Sequence, residues 1–135
     1  MIRFSFFTLS LLSVICFGIL LALGISASHA TTPLPFSLLS PENNASELCS
    51  LILDWEDAAE SSRDDLTYTI FLSKDDSDFN DPICLEHLSH STYLLTPDDG
   101  IEDNTAYHWK VMAIGEYGDT ETSDTRQFHT DQNVN

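Results

Sequence analysis

From Ala106 to Ile114 apolar and polar positions alternate without a slip. Tyr107, Trp109, Val111 and Ala113 fall on one side, and Ala106, His108, Lys110 and Met112 on the other. Successive side chains of a strand point to opposite faces, so this period of two predicts a strand with one face against a core. A turn at Glu102, Asp103 and Asn104 leads into it. The same alternation puts Leu51, Leu53 and Trp55 inward on a strand from Cys49, and Leu66, Tyr68, Ile70 and Leu72 inward on a strand running to Ser73. That second strand is rich in β-branched and aromatic residues. Phe36–Leu39, Ile83–Leu88 and Thr92–Leu95 predict three short strands, and Glu121–Thr130, carrying Phe128, predicts the last.

The intervening stretches read as connections. Thr31–Pro35 is a stiff lead-in, because its two prolines forbid helix. Glu42–Ser46 is a polar turn after Pro41, Glu56–Asp65 a charged loop, Lys74–Pro82 an acidic loop and Thr96–Gly100 a turn. Glu116–Asp119 predicts a hairpin connection with Gly118 suited to a positive φ. Seven short strands with no helical period between them predict an all-β sandwich. Its expected core is Leu51, Leu53, Trp55, Leu66, Tyr68, Ile70, Leu72, Leu95, Ile101, Tyr107, Trp109, Val111, Ala113 and Phe128.

Composition changes the picture at the start of the chain. Arg3 precedes an apolar run from Phe4 to Ala27 that closes on Ser28-His29-Ala30. A positive start, an apolar run and small residues at both cleavage positions have the form of a secretory signal peptide helix. Residues 1–30 are therefore expected to be removed, the alternative being an uncleaved membrane anchor. Cys16 lacks the small preceding residue of a lipid-attachment site. Residues 31–135 have the length of one domain with a short polar tail. The expected location is exported: periplasmic, cell-surface or secreted.

Charge excludes some functions. Only Arg63, Lys74, Lys110 and Arg126 follow the leader, against 22 acidic residues, and the whole chain carries −17 at pH 7. Nucleic acid requires clustered basic residues to displace counterions, so no nucleic-acid partner is expected. An anionic membrane surface is disfavoured by the same sign, leaving membrane contact only through an uncleaved signal segment. Cys49 and Cys84 form an even pair that an oxidising compartment could bridge. Cys49 also shares the parity of Leu51 and Leu53, which fits a small core residue instead.

The strands carry a family resemblance. Leu51-Ile52-Leu53-Asp54-Trp55, the run from Leu66 to Asp76, Asp103 to Val111, and Ser123 through Phe128 to Thr130 occur in order and at spacings that resemble a fibronectin type III domain, in the version common in exported bacterial proteins. The resemblance covers about Leu34 to Thr130. It implies an immunoglobulin-like sandwich of seven strands, with Ile101 and Tyr107 at a corner where the tyrosine hydroxyl bonds to upstream backbone. It also implies an adhesion, spacer or docking role without catalytic residues. The family's integrin-binding tripeptide is missing, since in Ser62-Arg63-Asp64 the aspartate follows the arginine directly, with no glycine between them.

Candidate chemistry is sparse. Asp76, Asp78 and Asn80, with Asp75 and Asp81, form an oxygen-rich loop that could bind calcium weakly, although Asp81 and His87 break the EF-hand pattern. His87, His90, His108 and His129 lack zinc spacing, and His108 and His129 could approach across neighbouring strands. No nucleophile, base and orienting group are grouped, so no enzyme and no cofactor are expected. Phe71, Ile52, Met112 and Ile114 have outward parity; Phe71, Met112 and Ile114, with Lys110 beside them, predict a contact patch on one sheet. The expected function is noncatalytic binding or adhesion toward another envelope protein or a surface polysaccharide. The alternatives are a structural spacer without a ligand, or a calcium- or polysaccharide-associated accessory protein.

Overall fold

The computed structural model of the chain describes residues 32–59 and 66–133. The expected signal segment and most of the charged loop after Ala59 lie outside the described residues. Nine strands are present among the described residues: β1 (Leu38–Ser40), β2 (Ala45–Glu47), β3 (Leu51–Trp55), β4 (Thr67–Lys74), β5 (Ile83–Leu88), β6 (Thr92–Leu95), β7 (Ala106–Ile114), β8 (Thr120–Thr122) and β9 (Arg126–Thr130). One sheet has the order β1-β3-β6. The other has the order β2-β9-β7-β4-β5, with β8 pairing β7 beside β9. All strand contacts are antiparallel except β2 on β9, which is parallel.

The sheets pack their alternating inner faces together, as expected of a two-sheet sandwich. Leu53, Ile70, Leu72, Leu95, Trp109, Val111, Ala113 and Phe128 are completely buried, with Trp55 and Tyr107 nearly so. Burial of each such large side chain is worth ~1.5–3 kcal/mol relative to leaving it in water. Trp55 meets Tyr68 edge-on at 5.4 Å between ring centroids, and Tyr107 stacks on Phe128 at 5.7 Å. Of the expected core only Leu66 stays half-exposed, at the edge of the cluster. Phe36, Leu38 and Ala58 join it. Ala58 enters because Tyr68 Oη accepts its backbone N–H at 3.0 Å, tying the start of the charged loop to the core.

Three expectations need correction. The polar turn Glu42–Ser46 instead yields β2, whose Ala45, Ser46 and Glu47 pair with Phe128, His129 and Thr130. Asn43 Oδ1 accepts Gln127 N–H at 2.9 Å and Asn44, at φ 65°, turns the chain into that pairing. The edge strand expected at Phe36–Leu39 lies at Leu38–Ser40, leaving Phe36 free to pack inward. The single last strand is two. β8 pairs the end of β7, β9 pairs its start, and Ser123 marks the break, its hydroxyl accepting Val111 N–H at 3.0 Å.

The corner is formed as the resemblance implies: Tyr107 Oη accepts the Glu102 backbone N–H at 2.8 Å. Burial first, with the Glu102 charge adding to it, pushes the Tyr107 hydroxyl above the usual phenol range, so it remains protonated. Gly118 turns the β7–β8 hairpin at φ 88°.

Candidate functional site

The outer face of the larger sheet carries the expected patch. Register aligns Lys110, Phe71 and Cys84 in one row across β7, β4 and β5, and aligns Met112 between Thr69 and Thr122. Partners in such a row share a face, so alternation along β4 and β7 brings Phe71, Lys110 and Met112 together. The acidic loop after β4 then folds over this face. Thr69 and Ser73 on the same face are buried, although their parity points them away from the core.

The loop is held by its own carboxylate. Asp76 accepts the Asp78 N–H at 2.8 Å, the Asn80 N–H at 3.0 Å and the Asn80 side-chain amide at 3.0 Å. The two backbone N–H groups, led by that of Asn80, hold the Asp76 carboxyl below the usual carboxylate range. This fold of the loop sets Phe79 at φ 55°, in the left-handed region that bulky residues rarely occupy. Phe79 thereby hangs its ring over Lys110, whose ammonium sits 4.1 Å from the Phe79 centroid and 5.8 Å from that of Phe71.

The result is an open pocket of about 270 Å³ walled by Phe71, Phe79, Pro82 and Met112, with Lys110, Asp78 and Thr122 as its polar groups. Apolar walls with a few converging polar groups are the usual make-up of a binding site, although this one is small for a drug-sized ligand, whose sites run ~300–1,000 Å³. Its charge is unusual for this molecule. Lys74 is paired with Glu102 at 2.6 Å, and Arg126 donates to the carbonyls of Leu39 and Pro41 at 3.1 and 2.9 Å. Among the described residues Lys110 makes no ion pair, and its ammonium rests on aromatic faces alone.

Other expected site residues divide as follows. Ile114 is opposite Thr67 and Thr120, half-buried and away from the pocket lining. Ile52 belongs to the other sheet, exposed beside the equally exposed Leu94. Phe79, Pro82 and Thr122 were not expected; the turn-rich composition of the loop gave no sign that it would fold back on the sheet.

Asp76, Asp78 and Asn80 are engaged with each other as a loop brace. Among the described residues no group of three or more His, Cys, Asp or Glu has the geometry to hold a metal. His129 is opposite Ala106 and His108 opposite Gln127, so the two histidines are offset by two positions along adjacent strands, with the Tyr107–Phe128 pair between them. His108 Nδ1 is buried without a hydrogen-bond partner.

Of the two readings of the cysteine pair, the candidate Cys49–Cys84 bridge is not formed here, and both thiols are free. Cys49 precedes β3 and turns its thiol to Asp103, whereas Cys84 is exposed on edge strand β5 with its thiol toward the Pro82 carbonyl. Cys49 lies in the connection between β2 and β3 and Cys84 in an edge strand of the larger sheet, and each thiol is turned to a different neighbour. Burial first, then the Asp103 charge, push the Cys49 thiol up, keeping it protonated.

Comparison with known proteins agrees on the fold. No family model and no curated protein matches the sequence. Among solved structures, the chain is similar to the fibronectin type III domain of human fibronectin type III domain containing protein 3, with a TM-score of 0.55 and 18% identity, covering 78% of this chain and 92% of that one. It is also similar to a myokine structure, with a TM-score of 0.50 and 19% identity over 75% of this chain and 97% of the other. At this identity the likeness establishes architecture only.

Proposed function

We propose that this fibronectin type III-like domain is an exported, noncatalytic binding module that docks another envelope protein or a surface polymer on the outer face of its larger sheet. The pocket of Phe71, Phe79, Lys110 and Met112 carries this reading. It places two aromatic rings, a thioether and an ion-pair-free cation at one accessible place. Aromatic residues and methionine are enriched at protein interfaces, and the ammonium adds a directional contact for a carbonyl or carboxylate. Export is supported by the form of residues 1–30.

A structural spacer is the second reading, favoured by the internal use of Lys110, which already satisfies the rings around it. A calcium-dependent accessory role has less support, because Asp76 spends its oxygens on its own loop. The discriminating experiment compares retention of envelope components from the source cells by wild type, Phe71→Asp and Ile52→Asp at matched thermal stability. Loss confined to Phe71→Asp supports pocket docking; equal retention by all three refutes it.

A further inference from the structure

Building on the pocket as a binding site, we propose that β8 accepts an extended basic peptide as an added strand. Alternate side chains of that strand enter the outer-face pocket and a second, acidic cleft behind the same edge.

Among the described residues strand β8 pairs with β7 alone. The bonds Ser123 N–H to Val111 O at 2.9 Å and Gly115 N–H to Asp119 O at 2.8 Å fix which pairs along this ladder are hydrogen-bonded. Hydrogen-bonded pairs alternate in an antiparallel ladder, so Glu121 exchanges its bonds with Ala113 between them. Thr120 and Thr122 therefore direct their N–H and C=O away from β7, toward an unpaired edge. Such a row is a template for another strand, and proteins normally blunt it with charge, proline or cover. Here the two edge-facing residues are threonines.

The two concavities of this region meet at that edge. Thr122 lines both the aromatic pocket on the outer face and a cleft of about 250 Å³ formed by Glu121, Asp124, Ser123 and the lead-in Pro35–Ser37. An added strand presents side chains alternately to the two faces of its sheet, which matches one concavity on each side. The chemistry of the two differs. The outer one is apolar and aromatic, and the inner one carries the Glu121 and Asp124 carboxylates, neither of them in an ion pair among the described residues. A peptide alternating apolar with lysine or arginine complements both. The overall charge of −17 favours the same partner and opposes a second copy of the chain, which brings the same charge to the contact.

The test uses a capped nonapeptide alternating leucine with lysine, its glutamate-for-lysine counterpart, and a version N-methylated along one edge. Binding is read by fluorescence anisotropy and by backbone amide shifts of Thr120 and Thr122. The lysine peptide is expected to bind, to weaken as salt rises, and to shift those two amides; N-methylation is expected to weaken it about tenfold or more. Thr122→Pro removes an edge-facing donor without touching the β7 ladder and should weaken binding similarly, whereas Thr122→Val should not. Binding that survives Thr122→Pro and N-methylation but is lost in Phe71→Asp overturns strand addition and leaves pocket docking standing. Loss in Thr122→Pro with retention in Phe71→Asp keeps the edge and fails the pocket. Preference for the glutamate peptide, binding of no probe at about 1 mM, or a dimer that Thr122→Pro dissolves would each overturn the proposal.

Discussion

The Lys110 ammonium lies 4.1 Å from the centre of the Phe79 ring, joining the central strand of the larger sheet to a loop that sequence pattern alone leaves unattached. Phe79 reaches this position in a left-handed backbone conformation, at φ 55°. For a bulky residue that conformation costs on the order of 1–2 kcal/mol, and the Asp76 hydrogen bonds and the ring contact offset it. The pocket is thus a product of the loop as much as of the sheet.

Removing the ring should separate binding from stability. Phe79→Ala loses a contact at a half-exposed site, expected to cost ~0.5–1 kcal/mol in cation–π attraction. Alanine keeps the Cβ, so the backbone strain at that position is unchanged and does not enter the difference. The net change in unfolding free energy by urea titration should therefore stay below about 1 kcal/mol, while any ligand of the pocket loses one wall. A loss several times larger would mean that the loop is part of the core.

Tyr107→Phe tests the corner. The Glu102 N–H would lose its acceptor at 2.8 Å while the ring packing on Phe128 is retained. A loss of ~1–2 kcal/mol is expected from denaturant unfolding, against ~3–5 kcal/mol for Trp109→Ala, which empties a completely buried site. Equal losses for the two would contradict a role for the hydroxyl that is limited to one bond.

Much of this was legible beforehand. Strict alternation from Ala106 to Ile114 put Tyr107, Trp109, Val111 and Ala113 in the core, where they are, because a two-sheet sandwich buries one parity completely. The outward parity of Phe71, Lys110 and Met112 was legible for the same reason. What parity cannot carry is the contribution of irregular segments. Phe79 meets Lys110 through a positive φ and a carboxylate brace, neither of which has a periodic signature. Phe36 and Ala58 enter the core from non-strand segments, and Ser123 divides the last strand through a side-chain bond that imitates a ladder bond. The cysteine pair stayed open for a related reason: an even count says nothing about where each thiol lies in the fold.

The Asp76 brace should respond to pH. Its carboxyl is held below the usual range in the folded chain, so its contribution is fully present above the ordinary aspartate pKa and is lost as pH falls through the lowered folded value. The amides of Asp78 and Asn80 should then lose their acceptor, and their NMR shifts should titrate together at a pH below that of an unperturbed aspartate. Asp76→Asn should abolish that shared titration. Movement of the two amides at an ordinary aspartate pKa, or independently of one another, would show that the brace does not hold in solution.

The break between β8 and β9 gives the sharpest stability test. Val111 is completely buried, and its N–H has the Ser123 hydroxyl as acceptor at 3.0 Å in place of a backbone carbonyl. The same hydroxyl donates onward to the Asp124 carbonyl at 2.9 Å, which fixes its rotamer. Ser123→Ala leaves the N–H unpaired in a region closed to water, where a missing partner costs ~1–3 kcal/mol. Ser123→Thr keeps the hydroxyl and should recover most of that loss, provided its added methyl is accommodated at the sheet edge. Amide exchange at Val111 should accelerate in Ser123→Ala more than at Trp109, whose strand neighbour Arg126 lies on β9 beyond the break. If exchange rises equally along all of β7, the substitution has loosened the whole sheet and the local account of Ser123 is wrong.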